Sequence, residues 1–161
     1  MAINLSTLSR PKADRPIICT LCGEGGMGKT TLAAMFPKPV FIRTEDGTAS
    51  LVGNGDVRLF PVAQTYQDVL DAIEALATQE HDYKTVVLDS ITQLATLIEA
   101  EIVAADPKAK SINQAGGGYG AGYNTAAERR RQVREWMGAL AYEQGMNVVF
   151  IGHADTETLD L

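Results

Sequence analysis

Residues 23–30 read Gly-Glu-Gly-Gly-Met-Gly-Lys-Thr, a complete G-x-x-x-x-G-K-[ST] loop set between an apolar run and a helical segment. No other stretch of the chain narrows its fold as far. Pro16-Ile-Ile-Cys-Thr-Leu-Cys22 is short, apolar and β-branched, so it predicts a buried strand. Thr30-Thr-Leu-Ala-Ala-Met-Phe36 predicts a helix stopped by Pro37. Backbone N–H groups of a glycine-rich loop can converge on phosphate oxygens, because no Cβ blocks the approach. The helix that follows adds its positive dipole end. The motif therefore sets Gly23, Glu24, Gly25, Gly26, Met27, Gly28, Lys29, Thr30 and Thr31 around the phosphates of a nucleotide. In such a loop Lys29 reaches the β- and γ-phosphates and the Thr30 hydroxyl ligates Mg²⁺.

The rest of the chain repeats the strand–helix alternation. Strands are expected at 39–44, 57–62, 84–89 and 147–151, with Pro61 suiting an edge or an end. Helices are expected at 65–80, 91–104 and 126–144. Their apolar stripes are Val69, Leu70, Ile73, Leu76 and Ala77, then Ile91, Leu94, Ala95, Ile98 and Ile102, then Val133, Trp136, Met137 and Leu140. Alternation of this kind predicts an α/β fold, with a mostly parallel central sheet and right-handed crossovers. Residues 1–15 are polar and irregular and are expected to form a flexible N-terminal arm, leaving 16–161 as one core. The glycine-rich stretch 115–124 is expected to be a mobile loop.

A net charge of −6 argues against a generally basic nucleic-acid coat but leaves room for a local basic groove. No long apolar run suggests a signal peptide or a membrane span, so a cytoplasmic location is expected. Cys19 and Cys22 have C-x-x-C spacing on a predicted strand, with no second cysteine pair; buried core thiols are expected there, not a zinc or redox pair.

A phosphate loop needs a carboxylate to help hold its metal. Thr85-Val-Val-Leu-Asp89 supplies one, since the C-terminal ends of such strands face the ligand crevice and bring Asp89 toward Thr30. Hydrolysis further needs a group that orients or deprotonates water. Glu45, just past the second strand, is placed for this, with Asp46 as the neighbour that could take the role. His153 ends the last strand, where an imidazole can sense the γ-phosphate by hydrogen bond.

Val86-Val-Leu-Asp-Ser-Ile-Thr-Gln-Leu94 resembles the second nucleotide motif of RecA-type ATPases, and Phe41-Ile-Arg-Thr-Glu45 resembles their strand bearing the catalytic glutamate. Arg131-Gln132 before Asn147-Val-Val-Phe-Ile151 is similar to them too. The chain resembles phage-encoded RecA-like ATP-binding proteins of the AAA-family ATPase kind, over about residues 16–155. That likeness implies a three-layer αβα P-loop NTPase using ATP and Mg²⁺. Glu45 would be its water activator, Asp89 its Mg²⁺ helper and His153 its γ-phosphate sensor, where bacterial RecA has glutamine. It implies hydrolysis of ATP on single-stranded DNA in phage recombination or annealing, in the cytoplasm of a bacterial host, by a homo-oligomer. In the family topology the strand 147–151 lies between the strands preceding Gly23 and Ser90. The far side of residues 17–22 is then an open edge, as expected of a core truncated at its C-terminal end or covered by another subunit.

The alternatives are a non-catalytic ATP-dependent assembly switch and a ParA/MinD-like partition ATPase. Gly25-Gly-Met-Gly-Lys-Thr-Thr31 resembles the partition motif, but Glu24 stands at its signature lysine. No Asn-Lys-x-Asp motif suggests a GTPase.

Single-stranded DNA is a candidate partner on two grounds. If the helix starts at 126, Arg129, Arg130 and Arg131 crowd its first turns and oppose its dipole, by about 0.3–1 kcal/mol each when exposed, which suggests an anionic ligand. Glu128 and Glu135 partly neutralise them. Tyr119 and Tyr123 in the glycine-rich stretch could stack on bases, where RecA-like proteins carry a DNA-contacting loop.

Overall fold

The computed structural model describes residues 4–10 and 15–154. Residues 155–161, and residues 1–3 and 11–14 of the expected N-terminal arm, lie outside the described residues. Within it, Leu5–Thr7 form a 3₁₀ turn capped by the Asn4 side chain.

Five strands form one sheet, β1 (Ile18–Gly23), β2 (Pro39–Arg43), β3 (Arg58–Val62), β4 (Thr85–Asp89) and β5 (Asn147–His153). Their order is β1-β5-β4-β2-β3 and every pairing is parallel. This is the order expected from the resemblance, with β5 between β1 and β4. The central strands are apolar on both faces, because parallel sheets are covered on both sides. β4 is buried along its whole length. β3 is one edge, and Pro61, which has no N–H to give to a neighbour, is tolerated there. Among the described residues β1 is the other edge, and its exposure alternates, Ile18 being 45% accessible.

Side-chain alternation divides the core into two layers. Val40, Ile42, Val86, Leu88 and Val148 pack under α2 (Tyr66–Thr78), α3 (Ile91–Ala105) and α4 (Ala121–Gln144). Phe41, Val87, Val149 and Ile151 pack on the opposite face against α1 (Lys29–Ala34) and the 3₁₀ turn Thr48–Leu51. The result is the three-layer RecA-like P-loop NTPase fold. α2 starts in a complete capping box, the Thr65 hydroxyl accepting the Asp68 N–H while the Asp68 carboxylate accepts the Thr65 N–H at 2.9 Å. The Gln64 N–H, donating to the same carboxylate at 2.8 Å, and the Thr65 N–H hold the Asp68 carboxyl below its ordinary pKa.

The structure corrects several expectations. α4 begins at Ala121, not 126, so Tyr123 lies in its first turn and the arginines lie more than two turns in. The expected clash between Arg129–Arg131 and the helix dipole is therefore absent, since the dipole acts within the first turn. The glycine-rich stretch is a built turn rather than a loose loop. Gly116, Gly117, Gly118 and Gly120 all have left-handed φ, and the Gly116 N–H donates to Asp106 Oδ2 at 3.0 Å. Trp136 is 37% exposed, Ala77 is exposed, and Ala72 takes a place in the core instead. Cys22 is exposed and Cys19 half-buried, and both thiols are free. Burial pushes the Cys19 pKa up. Among the described residues no helix is long and apolar enough to cross a membrane.

Candidate nucleotide site

Three strands deliver the site side by side. In the sheet register Arg43 pairs with Asp89, and Asp89 with Ile151, so the chain just past β2 and the ends of β4 and β5 share one edge. β1 ends beside them, with Gly23 opposite His153.

The phosphate loop leaves β1 and closes on α1. Gly26 (φ 78°) and Gly28 (φ 84°) take left-handed conformations that a side chain would strain. Residues 24–28 are exposed, as a surface that must receive a ligand has to be. The Lys29 ammonium reaches back across the loop and donates to the Gly23 and Glu24 carbonyls, each at 2.6 Å. Its side chain thus spans the place where phosphates would enter.

Thr30 Oγ1 donates to Asp89 Oδ2 at 2.8 Å. Mg²⁺ ligands at about 2.0–2.1 Å and right angles are about 2.9 Å apart, so this pair of oxygens fits one edge of a Mg²⁺ octahedron. Asp89 is 4% accessible. Burial raises its pKa, and the Glu45 charge adds to this against the lowering by the Thr30 hydrogen bond, His153 and Lys29. A buried carboxylate held beside a second one is a place where a cation relieves both.

Glu45 and His153 meet. With Nε2 carrying the proton, the imidazole donates to Glu45 Oε1 at 2.6 Å. One donor atom each from Glu45, Asp89 and His153 fall within 4.8 Å of one another. Asp46 turns elsewhere, its carboxylate 3.3 Å from Arg43 Nη1 and its side chain 81% exposed.

Two threonines that sequence reasoning passed over hold this edge together. Thr44 is 5% accessible; its hydroxyl donates to the Ser90 carbonyl and accepts the Ser90 N–H, both at 2.9 Å. Its own N–H donates to the Asp89 carbonyl. Asp89–Ser90 is a cis peptide, and the Ser90 hydroxyl caps α3 by accepting the Gln93 N–H. The Thr92 hydroxyl accepts the His153 N–H at 2.8 Å, joining the start of α3 to the end of β5. For Thr44 the available signal was a polar residue directly after β2; Thr92, inside α3, carries no such signal.

The basic cluster sits on α4 among acids. Arg129 reaches Glu101 at 3.0 Å and lies over the Tyr66 ring at 5.1 Å. Arg130 is 3.4 Å from Glu99. Arg131 is 2.5 Å from Glu128 and 3.8 Å from Glu135, and this pairing raises its pKa. Tyr119 is fully exposed in the turn before α4, and Tyr123 is 43% exposed.

A glycine loop between β1 and α1, a strand-end aspartate within hydrogen-bond reach of the loop threonine, and a parallel sheet ordered in this way define a P-loop NTPase domain. Residues 15–161 match the family described as an AAA domain, and the chain belongs to that family of P-loop ATPase domains. No curated protein matches it.

Proposed function

We propose that the chain hydrolyses ATP with Mg²⁺, using Glu45 as its water-activating carboxylate. The observation that carries this reading is the 2.6 Å contact of Glu45 with His153, beside the Thr30–Asp89 pair. Mg²⁺, when bound, would neutralise charge on the β- and γ-phosphate oxygens from Thr30 and Asp89. Glu45 accepts a hydrogen bond from water and draws off its proton as attack on the γ-phosphate proceeds. His153 fixes the Glu45 carboxylate and, as the proposed γ-phosphate sensor, exchanges that bond for one to phosphate. Lys29 exchanges its two loop carbonyls for phosphate oxygens.

The test is turnover of Mg-ATP by wild type and Glu45→Gln. The amide keeps the size and the contact with His153 but cannot take a proton. Turnover should fall by about 10²-fold or more, with ATP-induced thermal stabilisation retained. Unaltered turnover would refute Glu45 as the base. ATP binding without turnover in either protein would favour the assembly switch.

The finer reading is action on single-stranded DNA, in recombination or annealing of the phage type, by a homo-oligomer. It rests on the resemblance and on the exposed ring of Tyr119, an available stacking surface. The arginines contribute less, since each already faces a carboxylate. Stimulation of turnover by single-stranded DNA that Tyr119→Ala lacks would support it.

A further inference from the structure

We propose that Glu45, Asp89 and His153 form a site for a divalent zinc-type ion in the nucleotide-free protein, sharing Asp89 with the Mg²⁺ position but taking Glu45 and His153 in place of Thr30. The donor atoms of the trio lie within 4.8 Å of one another, the closest pair 2.6 Å apart. Donors around tetrahedral zinc, at about 2.0–2.2 Å from the ion, are about 3.3–3.6 Å apart, so only small side-chain rotations separate this cluster from a coordinating one.

Chemistry selects the ion. An imidazole nitrogen suits zinc, cobalt and nickel, whereas Mg²⁺ takes oxygen ligands and keeps its waters. Two carboxylates and one neutral imidazole balance a divalent charge; the ion would take Nε2 with the ring proton on Nδ1, in place of the hydrogen bond to Glu45 Oε1. Three protein ligands leave one position open, as in zinc sites that keep a water or an exchangeable ligand.

The ligands are also held in advance. They come from the edge shared by β2, β4 and β5, fixed in register by sheet hydrogen bonds. Thr30 Oγ1 donates to Asp89 and orients that carboxylate, and the Thr92 hydroxyl, accepting the backbone N–H of His153, anchors the end of β5 that carries the imidazole. Asp89, at 4% accessibility, is shielded from water that would compete for the ion. The inference stands on this geometry and is independent of whether ATP is hydrolysed.

The test uses the full chain without nucleotide. Zn²⁺ binding is measured by calorimetry, and Co²⁺ by its visible absorption bands, in the Cys22→Ser background so that an exposed thiol cannot supply the site. One equivalent of each ion should bind. His153→Ala and Glu45→Gln should each weaken binding at least about tenfold, with circular dichroism reporting an intact fold, while His81→Ala leaves it unchanged. Absence of binding up to millimolar Co²⁺, loss of the site on Cys22→Ser, or unchanged affinity in His153→Ala would each overturn the proposal. Mg-ATP stabilisation, followed in the same proteins, reports on the phosphate loop separately.

Discussion

Asp89 carries an electrostatic cost in the protein that a cation would remove. Its pKa is raised from 3.8 chiefly by burial, so the folded state favours the proton. Below the unfolded value the carboxyl is neutral in both states and nothing is lost. As pH rises through the raised folded value, charge is forced into a buried site and stability falls. Asp89→Asn should therefore melt no lower than wild type at pH 7, the difference closing as pH falls toward 3.8, while losing Mg²⁺-dependent stabilisation by ATP. Thermal melts across pH, with and without Mg-ATP, check both halves. Lys29→Ala should lose the ATP-induced melting shift altogether. Glu45, Asp89 and His153 were each legible from their positions after apolar strands. Their mutual contact was not, because Glu45 and His153 are 108 residues apart and only sheet order brings them together.

At the scale of elements, α4 shows where composition misleads. A run of glycines reads as a loose loop, yet Gly122 is helical and buried. A Cβ there would lie 2.3 Å from the Ile112 carbonyl oxygen. An ordinary Gly→Ala change in a helix stabilises by about 0.5–1 kcal/mol. Gly122→Ala should instead destabilise by about 1–3 kcal/mol, because backbone must give way; urea unfolding measures the sign. The packing of α4 against residues 112–115 fixes its start, and no local pattern announces a long-range fit of that kind. α2 was easier to read, since its cap is local. Thr65→Ala should cost about 0.5–2 kcal/mol in the same assay. The central strands β2, β4 and β5 were legible for a related reason: both faces of a parallel sheet are covered there, so they read as unbroken apolar runs, whereas β1, read as a buried strand, is an edge with no buried residue.

At the scale of the molecule, the described sheet has β1 on one edge, with Ile18 45% exposed. An apolar edge invites pairing with another chain, and a lysine on it blocks that. For the proposed homo-oligomer paired through this edge, Ile18→Lys should weaken self-association about tenfold, equivalent to about 1.4 kcal/mol, by sedimentation velocity. The same sheet order bears on how the protein is made. Among the described strands β1 comes first along the chain and its neighbour β5 comes last. The Ile17 N–H, donating to the Asn147 side chain, spans 130 residues. Contacts of such separation close large loops and slow folding. While the ribosome is still at work, the strand that leads into the phosphate loop must wait for β5 before it gains the partner seen in the sheet. Until that pairing closes, the phosphate loop hangs from an unsupported apolar strand, and that interval is when a chaperone would find the nascent chain most in need of cover.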